Sequence, residues 1–148
     1  MGVADLIRVQ VHGEEDLTLQ TRLDEKGTIT YPFLGEIRAV GLTVRELERR
    51  VATGLKAGYL LAPEVQVQVL EYRPFYVNGE VKKPGGYPYV PGLTVQKAVS
   101  LAGGMTPLAS QNKIYVIRET NPAGTREGIR LDGVILPGDT LVVEEGLF

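Results

Sequence analysis

Hydrophobic positions alternate with polar ones in many short stretches of this chain, and a period of two predicts β-strands. In the first half the alternation covers residues 7–11, 17–23, 29–33 and 65–69. In the second half it covers residues 75–81, 87–90, 114–118, 129–131 and 141–143. The chain is therefore predicted to consist mainly of short strands.

The period changes to that of an amphipathic helix at two places. Thr43 and Glu46 have the spacing of a capping box, and apolar residues then recur at helical spacing until a stop near Gly58. Thr94 is predicted to cap a second, shorter helix that ends at Gly103-Gly104. The predicted inner faces are Val44, Leu47, Val51 and Leu55 in the first helix, and Val95, Ala98, Val99 and Ala102 in the second.

A break in the strand pattern at Arg73-Pro74 predicts a domain boundary, because proline donates no hydrogen bond and restricts the residue before it. We expect an α+β chain of two small β-rich domains, residues 1–73 and residues 74–148. Short strands around one short helix make the second domain β-grasp-like. Residues assigned to turns and caps are Asp5, Gly27, Gly35, Pro84, Gly85, Gly103, Gly104, Gly138 and Asp139.

Two short sequences occur once in each half. Gly41-Leu42-Thr43-Val44 returns as Gly92-Leu93-Thr94-Val95, each time before a predicted helix. Asp5-Leu6-Ile7-Arg8-Val9 is echoed by Asp139-Thr140-Leu141-Val142-Val143, each time at the start of a strand. Either both pairs are common turn chemistry or the two halves are related modules, and two echoes are too few to indicate a solenoid.

Composition removes several classes of function. The chain of 148 residues has a net charge of −2, no cysteine and one histidine. A nucleic-acid binder usually carries a basic surface, and disulfides and thiolate metal sites need cysteine, so we expect no nucleic-acid partner, no metal and no cofactor. His12 is predicted to be a surface residue, and the carboxylates cluster in turns. No catalytic set converges, so we expect no enzyme activity.

Aromatic and basic residues gather around the predicted hairpin of the second half. Tyrosine rings can stack on sugar rings, and lysine or arginine can pair with the carboxylates of an acidic glycan. Alternatively, the tyrosines pack the strands and the lysines solvate the turn. The candidate glycan contacts are Tyr72, Arg73, Tyr76, Lys82, Lys83, Tyr87 and Tyr89.

The first half resembles the polysaccharide export domain of bacterial polysaccharide export proteins. The resemblance rests on an ordered series of short motifs, in which Ala4 stands where the family has a second glycine. The motifs are Gly2-Val3-Ala4-Asp5, Asp24-Glu25-Lys26-Gly27, Tyr31-Pro32-Phe33-Leu34-Gly35, Gly41-Leu42-Thr43 and Pro63-Glu64-Val65-Gln66-Val67.

The second half resembles the SLBB module (soluble ligand-binding β-grasp) of the same Wza-like family. Phe148 falls where such chains often finish a module. The motifs are Val77-Asn78-Gly79-Glu80-Val81, Pro84-Gly85-Gly86-Tyr87, Leu101-Ala102-Gly103-Gly104 and Pro137-Gly138-Asp139.

The resemblance implies a periplasmic conduit or adaptor in a machine that exports capsular or exopolysaccharide. It implies the polysaccharide as partner, a homo-oligomeric ring, and contact with an inner-membrane co-polymerase or kinase. It places the protein in the periplasm or on the periplasmic face of the outer membrane of a Gram-negative bacterium. The alternative is a soluble glycan- or small-ligand-binding module.

Larger family members also carry a second SLBB module and a C-terminal amphipathic helix, and many members carry a lipid-modified cysteine near the N-terminus. None of these features, and no leader, is recognisable in the 148 residues. We therefore expect either a trimmed chain or a short member that relies on a separate outer-membrane β-barrel.

Overall fold

The computed structural model describes residues 1–146, and the expectation about Phe148 lies outside them. The chain divides into two compact units, Met1–Arg73 and Pro74–Phe148, here called domain 1 and domain 2. Both combine strands with one α-helix, so the predicted α+β class is confirmed. No helix in the described part of the chain has the length and apolar character needed to span a bilayer.

Domain 1 is built around its first strand. β1 lies at the centre of a three-stranded antiparallel sheet of order β2-β1-β5, and β3 pairs with β4 in a separate hairpin. Ile7, Val9 and Val11 of β1 point into the core, as their alternation predicts. The strands are β1 (Leu6–Val11), β2 (Leu19–Arg22), β3 (Thr28–Tyr31), β4 (Gly35–Arg38) and β5 (Val65–Glu71).

Helix α1 (Val44–Lys56) starts with the predicted capping box. The Thr43 hydroxyl accepts from the Glu46 amide at 3.1 Å, and the Glu46 carboxylate accepts from the Thr43 amide at 3.4 Å. Leu47, Val51 and Leu55 are fully buried against the sheet, whereas Val44 is half-buried. The helical period of the apolar residues therefore correctly predicts which side of α1 faces the core, because the apolar stripe of an amphipathic helix packs against the rest of the domain.

Two strand predictions in domain 1 are wrong. Leu17 ends a 3₁₀ turn (Glu15–Leu17) instead of starting a strand. Phe33 lies after β3 with a φ of 67° and is 68% exposed, so the alternation that includes it continues past the end of the strand. The chain instead turns at Pro32-Phe33 into β4, a short strand whose single buried residue gives no visible alternation.

Domain 2 contains a mixed five-stranded sheet of order β7-β6-β10-β8-β9. β10 runs parallel to β6 and antiparallel to β8, so the last strand lies between two earlier ones. Helix α2 buries Val95, Ala98 and Val99 in the domain core. The elements are β6 (Phe75–Gly79), β7 (Gly85–Tyr87), α2 (Val95–Leu101), β8 (Ala109–Ile117), β9 (Glu127–Gly128) and β10 (Thr140–Glu145).

The hairpin of domain 2 differs from the prediction. β6 ends at Gly79, and the chain reverses over residues 80–84, before the glycines that were expected to form the reversal. Gly85 and Gly86 already pair with Val77 and Tyr76, so Pro84-Gly85-Gly86 leads into β7. Tyr89 lies beyond the strand, and β9 precedes the predicted stretch at 129–131. Because two of the three residues of β7 are glycines, the strand shows no hydrophobic alternation that could predict its start.

The end of α2 has the hydrogen bonds of a Schellman motif. The Gly104 amide donates to the Val99 carbonyl at 2.9 Å, and the Gly103 amide donates to the Ser100 carbonyl at 3.0 Å. Both glycines have positive φ, 87° and 91°. This motif satisfies carbonyls that the end of a helix leaves free, and it favours glycine.

We predict that Gly79→Ala destabilises domain 2 by about 3 kcal/mol, the sum of a left-handed alanine and an overpacked contact. Gly79 has a φ of 90°, and a Cβ there would lie 2.1 Å from the Val143 carbonyl oxygen. Urea denaturation followed by NMR signals of each domain measures the loss.

Gly104→Ala is the matched control. Its φ is 91°, but a Cβ would meet nothing within 4 Å, so only the backbone cost of about 1 kcal/mol is expected. Gly85→Ala, at a φ of 153° and also in open space, should cost about the same. Equal losses for Gly79 and Gly104 would show that the approach to Val143 is not the constraint.

Candidate functional site

A buried aspartate precedes the central strand of domain 2. The Asp139 side chain is 2% exposed and lies 2.7 Å from the Arg118 guanidinium. It accepts from the backbone amides of Leu136 at 2.9 Å and Glu119 at 3.3 Å. The turn before it, residues 136–139, is closed by the Asp139 amide and the Leu136 carbonyl, with Gly138 at a φ of 81°. Asp139 therefore connects this turn to β10 and to the end of β8.

Domain 1 repeats this arrangement with different partners. The fully buried Asp5 carboxylate lies 2.9 Å from the Arg73 guanidinium, and it accepts from the Gly2 amide at 2.9 Å and the Arg73 amide at 2.7 Å. The Asp5 amide donates to the Gly2 carbonyl, which closes the turn. Ala4 occupies the position of Gly138 with a φ of 72°. The turn thus places alanine in a conformation that favours glycine.

The repeated Gly-Leu-Thr-Val sequence is also a shared turn. The Leu42 amide donates to the Ala39 carbonyl, and the Leu93 amide donates to the Val90 carbonyl. The residues before the two leucines, Gly41 and Gly92, have φ values of 79° and 84°. Each turn delivers a threonine whose hydroxyl caps the following helix. The sheets around these turns differ in strand number and order, so the echoes are shared turn chemistry in two different topologies.

The candidate glycan contacts do not form one uniform surface. Tyr72 and Arg73 belong to domain 1, and the other five residues belong to domain 2. The Arg73 guanidinium pairs with Asp5, and only 16% of the side chain is exposed. This observation favours a structural role for Arg73.

The five residues in domain 2 divide into packed and exposed groups. The Tyr87 ring lies 6.1 Å from the Phe75 ring, its hydroxyl donates to the Lys83 carbonyl, and Tyr89 also packs against the core. Tyr76 is 45% exposed. Lys82 and Lys83 are exposed. The last three therefore remain as accessible candidates.

The connection that carries both lysines is held by its backbone. The Lys82 amide donates to the Gly104 carbonyl at 3.0 Å, and the Lys83 amide donates to the Ala102 carbonyl at 2.8 Å. Two cations thus lie beside the C-terminal end of α2, where positive charge is favourable. This placement fits the structural alternative as well as a role in binding.

Residues 1–146 contain no group of three or more His, Cys, Asp or Glu side chains placed to hold a metal ion. His12 is exposed just after β1. Hydrogen bonds from the Thr28 hydroxyl and amide lower the pKa of the exposed Asp24. Burial raises the pKa of Tyr31, whose hydroxyl donates to the Leu17 carbonyl at 2.6 Å. The hydrogen bonds to Asp24 and the burial of Tyr31 account for these two pKa shifts.

An exposed aromatic pair in domain 1 was missed from the sequence. Phe33 and Tyr59 have ring centroids 5.2 Å apart, with exposures of 68% and 53%. Phe33 also holds a left-handed backbone, which is costly for a residue with a Cβ. The proline before Phe33 could have signalled a turn there, but the pairing with Tyr59 joins positions 26 residues apart in the chain.

The two strands that flank Pro74 differ in how they are paired. β5, which leads to Pro74, is an edge strand, and the Val67 amide donates to the Glu48 carboxylate at 2.9 Å. β6, which follows Pro74, is paired on both sides by β7 and β10. Of the strands flanking Pro74, only β5 therefore presents an edge, and one of its amides is already satisfied.

Comparison with protein families divides the chain between residues 70 and 74, where the boundary between the two domains also lies. Residues 1–70 match the family model described as polysaccharide biosynthesis/export protein, and residues 74–130 match the SLBB domain model. The chain therefore carries a domain of the polysaccharide biosynthesis/export family followed by an SLBB domain. The predicted family is thereby confirmed. Each buried aspartate lies in one of the family motifs, Asp5 in Gly2-Val3-Ala4-Asp5 and Asp139 in Pro137-Gly138-Asp139.

Several members of the family are similar over most of this chain. The exopolysaccharide production protein ExoF of Rhizobium meliloti (strain 1021) is 35% identical over 117 residues, 71% of this chain and 28% of ExoF. The EPS I polysaccharide export outer membrane protein EpsA of Ralstonia nicotianae (strain ATCC BAA-1114 / GMI1000) is 33% identical over 127 residues, 78% of this chain and 33% of EpsA.

The polysialic acid transport protein KpsD of Escherichia coli is 26% identical over 136 residues, 90% of this chain and 24% of KpsD. The chain therefore spans about a quarter to a third of the length of these relatives.

We predict that Asp139→Ala destabilises domain 2 by about 3–5 kcal/mol, because it leaves the Arg118 charge and two backbone amides without their carboxylate. Asp132→Ala is the control, since that carboxylate is 82% exposed and lies 3.8 Å from Arg130. The control should change stability by less than about 0.5 kcal/mol. Urea denaturation measures both, and equal effects would contradict the role of Asp139.

Ala4→Gly should stabilise domain 1 by about 0.5–1 kcal/mol. A left-handed alanine costs about 1–2 kcal/mol, and the greater freedom of glycine in the unfolded chain offsets part of the gain. Gly138→Ala, the reverse change at the matching position of domain 2, should destabilise by about 1 kcal/mol. If Ala4→Gly lowers the urea midpoint of domain 1, the turn does not favour glycine there.

Proposed function

We propose that this chain is a periplasmic part of a machine that exports capsular or extracellular polysaccharide. The observation that carries the proposal is the order of two domains, an export domain followed by an SLBB domain, along one chain. The relatives named for exopolysaccharide production, EPS I export and polysialic acid transport align over 117, 127 and 136 residues, more than either domain alone contains.

Its role in this proposal is structural, as a conduit or adaptor without chemistry of its own. A polymer that must slide cannot be held tightly at any one point, so weak and repeated contacts suit the task. Tyr76, Lys82 and Lys83 are exposed and can supply such contacts.

The proposed location is the space between the two membranes of a Gram-negative cell, against the outer membrane. The proposed partners are the polymer, further copies of the same chain in a ring, and an inner-membrane co-polymerase or kinase. A ring needs head-to-tail interfaces whose rotation closes. The β5 edge is a candidate contact, because a strand edge can pair with another chain.

The alternative function is that of a soluble glycan- or small-ligand-binding module. An open cleft of about 550 Å³ in domain 2, lined largely by polar side chains, favours it. The two functions differ in assembly: a conduit requires a ring, whereas a receptor requires one saturable site on a monomer.

Deletion of the gene in its own host tests the export role. We expect extracellular polysaccharide to fall while polymer accumulates inside the envelope, because synthesis continues without an exit. Complementation with the full-length gene should restore export, and cell fractionation should place the product in the envelope. Unchanged extracellular polysaccharide in the deletion strain would contradict the proposal.

We predict that the purified chain is a monomer or weak oligomer in dilute solution. Tethering to a membrane or to partners raises effective concentration, so interfaces within the machine can be individually weak. Light scattering across a concentration series checks this, with mass rising only at high protein concentration. A closed ring whose mass does not change at micromolar protein would show that these two domains alone carry the assembly.

A further inference from the structure

An open cleft in domain 2 lies beside β8, away from the tyrosines of the β6–β7 hairpin. Its volume is about 550 Å³, within the range of small-molecule sites. It is lined by the first turn of α2, by β8 and by the segment 128–132. All three parts belong to domain 2, so the cleft is a feature of that domain alone.

The cleft combines an apolar part with amide side chains. Ile114 is 2% exposed, and the half-buried Ile129 and Leu131 pack against the same core. Around them the cleft is lined by the exposed side chains of Gln96, Gln111 and Asn112. An amide both donates and accepts, as a sugar hydroxyl does, so three amides can satisfy hydroxyls of either polarity. The half-buried Ile129 and Leu131 offer a surface for the C–H face of a sugar ring.

Charged and aromatic groups complete the lining. Arg130 and Asp132 lie 3.8 Å apart, with side chains 90% and 82% exposed, so their pairing is weak and easily rearranged. Arg130 can therefore turn to a ligand carboxylate and bind it through two N–H groups. Tyr115 also lines the cleft, with the Arg126 guanidinium 5.9 Å from its ring centroid. The Arg126 guanidinium is paired with the Glu144 carboxylate, so the preference for an acidic ligand over a neutral one rests on Arg130.

The backbone around the cleft is held in place by hydrogen bonds between elements. The Ile129 amide donates to the Ile114 carbonyl, which fixes the segment to β8. The Gln96 amide donates to the Leu131 carbonyl and the Val95 amide to the Gly133 carbonyl, each at 3.0 Å, which fixes it to α2. A backbone held in this way loses little further freedom on binding, which lowers the entropy cost of binding a ligand.

We propose that this cleft is a saccharide-binding subsite for a short segment of an acidic polysaccharide. The amides bind hydroxyls, Ile129 and Leu131 contact a ring face, and Arg130 binds a sugar carboxylate. The assignment of the ligand as the transported polymer rests on the proposed export function, whereas saccharide binding itself does not.

NMR titration of the full chain tests the subsite, with tetramannuronate as the acidic probe and cellotetraose as the neutral one. We expect saturable shifts of the Gln96, Gln111 and Asn112 side-chain amides, with a Kd of about 1 mM for the acidic probe. Cellotetraose should bind at least about threefold more weakly, and Arg130→Met should remove that difference. Added salt should weaken only the binding of tetramannuronate.

The double variant Gln96→Ala/Asn112→Ala should raise the Kd at least about tenfold. Both side chains are exposed, so the fold should persist, and a dispersed spectrum checks this. Gln68→Ala, an exposed glutamine on β5 of domain 1, is the matched control and should leave the Kd unchanged.

Shifts confined to Tyr76, Lys82 and Lys83 would move the site to the hairpin and overturn the cleft proposal. No shifts with either probe would also overturn it. The export proposal is decided separately by the deletion strain: loss of export without saccharide binding removes only the subsite. Binding at the cleft with normal export in the deletion strain removes the export role and leaves a saccharide-binding module.

Discussion

A buried carboxylate at the start of the central strand is the interaction on which each domain depends. Asp5 and Asp139 are the two buried polar or charged residues among those described, and each lies between a turn, a strand and an arginine. A buried charge is tolerated only when it is paired and hydrogen-bonded, so the turn and the arginine have to be in place together. The carboxylate thereby fixes where β1 and β10 begin, and the neighbouring strands pair with them.

This organisation leaves the outer surfaces free for function. Each domain has its own core of buried apolar residues, and no buried side-chain polar atom in the described residues lacks a hydrogen-bond partner. The accessible chemistry lies on loops and strand ends: the Lys82-Lys83 connection, the Phe33–Tyr59 pair and the cleft beside β8. Exposed side chains on well-packed domains suit the proposed role of guiding a polymer through weak contacts.

Local patterns in the sequence predicted local structure well. The spacing of Thr43 and Glu46 gave the start of α1, and the Gly103-Gly104 pair gave the end of α2, because each depends on residues within one turn of helix. The ordered motifs also led to the family. The alternation failed at Phe33, since the backbone after Pro32 leaves the strand while the hydrophobic pattern continues. The start of β7 was missed because its first two residues are glycines, which show no hydrophobic alternation although they pair with β6.

Long-range arrangements could not be predicted in the same way. The sequence grouped Arg73 with nearby tyrosines, but its guanidinium pairs with Asp5, 68 positions away. Likewise, Gln96, Gln111 and Asn112 line one cleft only because α2 and β8 meet the segment 128–132. The candidate site was therefore predicted where its residues are neighbours in sequence, and missed where the fold alone brings them together.

Hydrogen exchange of the full chain, comparing Asp5→Asn with Asp139→Asn, tests most directly whether a buried carboxylate organises each domain. Exchange reports the free energy of opening at every amide, so it separates a local effect from a collapse of the whole domain. Asp139→Asn should lower protection throughout β6, β8 and β10 while β1 and β5 keep theirs, and Asp5→Asn should do the reverse. Loss of protection confined to the few amides next to each substituted residue would contradict the account.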